Sequence, residues 1–416
     1  MSARPFSSHS LAEWLDHILA LHPSEIDLGL TRVRSVAQTL KLDTLPNSRV
    51  IIVAGTNGKG TTCALLENVL MAAGFSVGVF SSPHIERYTE RVRINGQERP
   101  ESEHVEAFQA ISAAQGDTSL TFFEYSTLGA LHLFARHQPE VVLLEVGLGG
   151  RLDATNLIDA DLAVITSVDL DHQEYLGDTR ESVGREKAGV FRLQRPAICG
   201  EPNPPVTVAE EAERIGAQLC QRGQDFDAEF GDTAWRFRGA HWQLDALPLP
   251  HIPRDNAVTA LAALERLWPK LAPDAVSAGL KQTRVEGRLE PLCDAPRIVV
   301  DVAHNPHAAR HLAQWLATQP VARVRAVCGM LKDKDIDATL AAMMPVVSQW
   351  YLAPLSGPRG ADANRLATVV QGGATFESVG DALDAAVQDA QRGDLVIVFG
   401  SFYTVAQAKA HWQTRR

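Results

Sequence analysis

The chain has 416 residues, 45% hydrophobic and 21% charged, a globular balance that excludes long disorder and is too much chain for one ordinary core, so two domains are expected. The formal net charge is −11 with no run of Lys or Arg, which argues against nucleic acid and membrane as partners and requires a local site for any anionic ligand. Five scattered cysteines with no C-x-x-C pair, no apolar core in Met1–Ser10 and no membrane-length apolar stretch point to a protein of the reducing cytoplasm without disulfides or zinc.

Strand and helix alternate from the start. Arg49–Ala54 reads as a buried strand, followed by the loop Gly55–Gly60 and an apolar helix from about Thr61 to Ala73. Ser76–Phe80 is a second strand, and Glu101–Gln115 and Phe123–Gln138 are helices. Val141–Val146 and Leu162–Ser167 are apolar runs of the kind buried in parallel sheets. Gln218–Leu249 alternates with aromatic residues and predicts a short antiparallel patch. Asp255–Leu267 is a further helix. A second alternating block follows, with strands at Arg297–Val302, Arg323–Gly329, Trp350–Leu355 and Asp394–Gly400. The fold class is therefore α/β: an amino-terminal phosphate-loop domain with a doubly wound sheet and a small antiparallel patch, over residues 1–286, and a Rossmann-like carboxy-terminal α/β domain, over 287–416.

The segment Gly55-Thr56-Asn57-Gly58-Lys59-Gly60-Thr61-Thr62 lies between a strand and a helix. Glycines let consecutive N–H groups curl around phosphate oxygens, and the helix start adds its positive dipole end. Lys59 reaches the outer phosphates and a Thr hydroxyl faces a metal. Val53 stands where the generic motif has its first glycine, and Gly60 is inserted after the lysine.

Phosphoryl transfer needs a cation to spread charge, and Mg²⁺ takes oxygen ligands. Ser81-Ser82-Pro83-His84, Glu145 and His172 follow three strand-like runs, and in a parallel sheet such ends share one edge. Glu145 is the strongest of them, because a carboxylate inside an apolar strand is costly unless paired or metal-bound. His172 is an unusual Mg²⁺ ligand taken by itself. Lys187, in Glu-Lys-Ala-Gly, is by default a helix-end cation. On the second domain, Arg288 suits a phosphate, and Asp301, in Asp-Val-Ala-His304-Asn-Pro, suits a ribose or an amine.

The string Gly-Thr-Asn-Gly-Lys-Gly-Thr resembles the nucleotide loop of the Mur ligase superfamily, and the glycine after lysine is typical of its folylpolyglutamate synthase branch. Matching segments run through the chain: Ile26–Arg32, Ser82-Pro-His, Tyr88–Arg93, Thr121–Tyr125, Glu145–Asn156, Asp171–Gly177, Arg288, Asp301–Pro306 and Phe399–Val405. Together they resemble the bifunctional dihydrofolate synthase/folylpolyglutamate synthase family. The resemblance implies a cytoplasmic, monomeric ligase using ATP and two Mg²⁺ ions, with K⁺ as a further candidate. Its substrates would be dihydropteroate, tetrahydrofolate derivatives and L-glutamate, joined through an acyl phosphate.

By the same resemblance Thr56, Asn57, Gly58, Lys59, Gly60, Thr61, Asn256, Arg288, Asp301 and His304 contact ATP. Ser82, Glu145, His172 and a carbamylated Lys187 hold metal. Lys59, His172, Lys187 and Arg288 are the catalytic set. The pterin lies by Asp27, by Thr121, Phe122, Phe123 and Glu124, and by Leu152, Asp153 and Ala154. Phe122 or Phe123 would stack on the ring, and Asp27, Glu124 or Asp153 would bond its amino-pyrimidine edge.

Two rivals are weaker. Peptidoglycan Mur ligases carry a separate domain ahead of a loop that here opens at residue 55. A nucleotide switch would want an N-K-x-D motif, which the sequence lacks.

Overall fold

The structure, a computed structural model, describes residues 10–24 and 26–415. The chain divides into two compact units between Thr283 and Arg284. The stretch Met1–Ser10 lies, but for Ser10, outside the described residues.

The first unit is built on an eight-stranded sheet. Its strands are β1 (Arg49–Ala54), β2 (Val77–Phe80), β3 (Val92–Ile94), β4 (Gln97–Glu98), β5 (Val141–Glu145), β6 (Leu162–Ile165), β7 (Pro196–Cys199) and β8 (Gln218–Gln221). Their order is β4-β3-β2-β5-β1-β6-β7-β8. From β2 to β8 the pairing is parallel, and β3 and β4 add an antiparallel edge. β2, β5 and β6 are buried throughout and β1 is exposed only at Arg49. Strands covered by helices on both faces must be apolar along their whole length, which is why they read as runs rather than alternations.

The helix Lys59–Ala72 leaves β1 and is buried along most of its length. It packs under the helices Arg254–Leu267 and Pro273–Gln282. This explains its weak amphipathicity: a helix enclosed on all sides needs no polar stripe.

The expected antiparallel patch is smaller than Gln218–Leu249. β8 belongs to the parallel sheet, paired with β7. The patch is β9 (Asp227–Phe230), β10 (Ala234–Arg238) and β11 (Gln243–Pro248). The helix Val206–Ile215 between β7 and β8 supplies the crossover that parallel pairing requires.

The second unit holds β12 (Glu290–Asp294), β13 (Arg297–Val300), β14 (Val324–Cys328), β15 (Gln349–Leu352), β16 (Ala374–Thr375) and β17 (Leu395–Phe399). The order is β12-β13-β17-β14-β15-β16, parallel apart from β12. Its core centres on Leu312, Leu340, Leu352, Ile397 and Phe399.

Candidate active site

In the first sheet β2, β5, β1 and β6 are neighbours and run the same way. The loops after them therefore open on one edge. They carry Gly55–Thr62, Ser81–His84, the stretch following Glu145, and Thr166–His172.

The phosphate loop is braced by the segment after β6. Thr56 N–H donates to Ser167 O at 2.9 Å, and its hydroxyl donates to Asp169 O at 2.8 Å. Asn57 N–H donates to Ser167 Oγ at 3.0 Å, and Thr166 Oγ1 donates to Asn57 O at 2.6 Å. Sequence reasoning missed Thr166 and Ser167, since two hydroxyls at a strand end carry no signal until the strand is placed beside the loop.

Gly58, at φ +87°, precedes the helix and faces the Asn256 side chain, which a Cβ there would strike. Asn256 Nδ2 donates to Thr61 Oγ1 at 2.5 Å, and Thr61 donates to Gly58 O at 2.9 Å. The Thr62 hydroxyl is buried and, among the described residues, has no hydrogen-bond partner. Lys59 Nζ donates back to Gly55 O at 2.9 Å and Thr56 O at 3.2 Å.

Glu145, the last residue of β5, is 5% exposed. Its Oε2 accepts from Ser82 N–H at 3.1 Å. A Cβ on Gly60 would stand 3.4 Å from the same oxygen, so the phosphate loop and the carboxylate are close neighbours. A buried carboxylate, a neighbouring serine and a helix N-terminus brought together suit a hard cation beside phosphate. Among the described residues no three His, Cys, Asp or Glu converge as a metal cage. The expected set of Ser82, Glu145, His172 and Lys187 contains only two residues of those types.

Arg93 was not foreseen in this neighbourhood. It donates to Glu67 Oε2 at 2.9 Å and to Ser81 Oγ at 3.2 Å, tying the phosphate-loop helix to the segment beside Glu145.

Lys187 is buried near the end of the helix Arg180–Ala188. Burial first, then the charge of Lys59, lower its ammonium from the usual lysine range to about 7, against the opposing pull of Asp171 and Asp153. His172 sits at φ +49° ahead of a short helix, with Nε2 4.0 Å from Asp171 Oδ1.

The third expected cluster is partly committed to local structure. Thr121 caps the helix Phe122–His137, and Glu124 completes the capping box. Glu124 also takes Arg32 at 3.1 Å, and Asp27 takes the same guanidinium at 2.8 Å. Asp153, 2% exposed, accepts from Leu148 N–H and from both the N–H and the hydroxyl of Thr155. Burial raises its carboxyl above the usual range. Leu152 and Ala154 flank it. Phe122 lies edge-on to Tyr88 with the Arg91 guanidinium over its ring at 5.2 Å. Phe123 packs on Phe80 and fills the space that Gly147 leaves.

On the second unit Asp301 accepts from Leu289 N–H and Ala303 N–H, each at 2.9 Å. Burial raises its carboxyl, and Arg288 opposes the rise. The Arg288 guanidinium lies 5.2 Å over Phe402. His304 Nδ1 is 2.8 Å from Val302 O.

Comparison with known proteins matches residues 53–219 to the Mur ligase middle domain and 287–402 to the Mur ligase glutamate ligase domain. The dihydrofolate synthase/folylpolyglutamate synthase of Escherichia coli K12 is 52% identical over 99% of this chain and 98% of its own. The same enzyme of Haemophilus influenzae is 43% identical over 95% of this chain and 96% of its own. The solved structure of E. coli FolC in complex with DHPP and ADP superposes with a TM-score of 0.97, covering 99% of this chain and 100% of that one at 52% identity. A Yersinia pestis bifunctional folylpolyglutamate synthase/dihydrofolate synthase complexed with AMPPNP and Mn ion gives 0.95 at 49% identity, over 99% of this chain and 100% of that one.

Proposed function

The chain belongs to the dihydrofolate synthase/folylpolyglutamate synthase family of Mur ligases, and on that premise we propose that it joins L-glutamate to dihydropteroate and to folate glutamates with ATP. The observation that carries this reading is the phosphate loop set beside the buried Glu145 carboxylate on one sheet edge.

In this mechanism the N–H groups of Gly58 to Thr61 wrap the nucleotide phosphates, with Thr56 and Asn57 holding the loop to Ser167, and Lys59 neutralises them. Asn256 holds the loop through Thr61. The substrate carboxylate attacks the γ-phosphorus, ADP departs, and an acyl phosphate forms. The neutral amine of glutamate then attacks the activated carbonyl, and phosphate leaves. No side chain forms a covalent bond, so positioning and charge supply the catalysis. When bound, Mg²⁺ would supply neutralisation of charge at the transferring phosphoryl group. Ser82, Glu145, His172 and carbamylated Lys187 would hold two such ions, with K⁺ as a further candidate. Arg288, Asp301 and His304 are assigned to the nucleotide from the second unit.

Carbamylation has a physical basis in the depressed Lys187 ammonium. A neutral amine combines with CO₂ and releases a proton, and the product is an anionic oxygen ligand in place of a cation near Lys59. A ¹³C-bicarbonate NMR experiment should give a carbamate resonance that Lys187→Met lacks. An identical signal in that variant would remove Lys187 from the metal set.

Phe122 or Phe123 is assigned to the flat pterin, beside Asp27, Thr121, Glu124, Leu152, Asp153 and Ala154. Phe122→Ala should raise KM for dihydropteroate about tenfold, a loss of about 1.4 kcal/mol of stacking, and leave KM for ATP unchanged. Equal changes in both would count against that placement.

The deciding experiment mixes the protein with Mg-ATP, L-glutamate and either dihydropteroate or tetrahydrofolate. Phosphate release that needs both acceptor and glutamate, with a product heavier by one glutamyl unit, is expected with each acceptor. Turnover with neither would remove the folate assignment. A single symmetrical peak at the monomer mass in size-exclusion chromatography is expected.

A further inference from the structure

The helix Pro306–Ala317 carries His307 and His311 four residues apart, on the same face. Their Nε2 atoms stand 3.3 Å apart, and the rings lie 4.5 Å centre to centre at 65°. His311 is exposed and His307 half-buried.

Two imidazole nitrogens each about 2.0–2.1 Å from one ion at a tetrahedral angle stand about 3.3–3.4 Å apart. The observed 3.3 Å matches that separation. Paired histidines one helical turn apart are a recognised way to present two nitrogens to zinc. Neutral imidazole suits zinc, nickel and copper, whereas Mg²⁺ prefers oxygen. This pair would thus ignore the cation that the phosphate site uses. Neither histidine belongs to the residues assigned above to nucleotide, metal or pterin.

We propose that His307 and His311 form a two-histidine site for a late first-row divalent cation such as Zn²⁺, completed by water. In the metal-free protein one ring donates to the other; on binding the ion, the donor ring loses its Nε2 proton to solvent and takes one up at Nδ1, so that both rings ligate as neutral imidazoles through Nε2.

The test is calorimetric titration of the full chain with Zn²⁺ in a buffer holding excess Mg²⁺. One equivalent of Zn²⁺ should bind to the wild type, and His311→Gln and His307→Gln should each weaken that binding at least tenfold. Zn²⁺ should also raise the melting temperature of the wild type more than that of His311→Gln, because the ion joins the first two turns of the helix. Since His311 is exposed, His311→Gln is expected to keep the wild-type circular dichroism spectrum and Mg²⁺-dependent turnover. If both variants bind Zn²⁺ as tightly as wild type, or the wild type binds none, the pair is a hydrogen-bonded dyad only and the proposal is wrong.

Discussion

At the scale of single residues, the site is set by what is missing as much as by what is present. Gly58 takes a left-handed φ and abuts Asn256, so Gly58→Ala meets strain and collision together. The variant should lose about 1–2 kcal/mol of stability and should bind ATP about tenfold more weakly, which thermal melts with and without nucleotide will separate. Glu145→Gln preserves shape and removes the charge. Turnover should fall about 10²–10³-fold, with a raised requirement for Mg²⁺ and an unchanged melting temperature without ligand. A fall in turnover with no change in metal dependence would place Glu145 outside the metal set.

At the scale of elements, the helix Glu101–Ala114 carries one acid-sensitive group. His104 is 1% exposed, edge-on to Tyr88 at 5.3 Å, and its buried Nε2 has no hydrogen-bond partner among the described residues. Burial lowers its pKa from about 6.5 to about 4, with Glu103 opposing and Arg99 assisting. Below the unfolded value the unfolded chain takes up a proton that the folded chain refuses. The contribution is thus complete above pH 6.5 and is lost as pH falls towards 4. At that lower limit the cost is on the order of 3 kcal/mol. His104→Phe keeps the ring and cannot titrate. In urea unfolding, its stability relative to wild type should improve by about 2 kcal/mol between pH 7 and pH 4.5. A gap independent of pH would mean that the ring titrates normally.

The same scale shows where element reading stopped. β1, β5 and β6 are legible because an uninterrupted apolar run is the signature of a covered parallel strand. β8 is not, because Gln218–Gln221 is a short strand with no fully buried residue, which suits an antiparallel ribbon equally well. Its partner was decided by the helix before it. The capping box of Thr121 and Glu124 shows the same ambiguity in function: one motif starts a helix and sits in a segment assigned to substrate.

At the scale of the whole molecule, the two units have separate apolar cores, one running from Leu11 to Ala212 and the other from Val299 to Phe399. Leu340 is fully buried in the second. Leu340→Ala should cost about 2–5 kcal/mol there, and calorimetry should show its thermal transition split from that of the first unit. One undivided transition shifted as a whole would show that the units unfold together.

The sequence by itself determined the α/β class, the phosphate loop and its chemistry. Strand periodicity, glycine spacing and a carboxylate in an apolar run are local facts that physical chemistry reads directly. Tertiary structure alone decided that Thr166 and Ser167 brace the loop, that Asn256 closes over Gly58, and that Arg93 reaches both Glu67 and Ser81. It also decided that Asp153 and Asp301 bond their own backbone neighbourhood, and that two histidines meet at 3.3 Å. Most of these partners lie tens to hundreds of residues apart, and the close ones depend on side-chain direction. Sequence names the groups, but only packing chooses which of them touch.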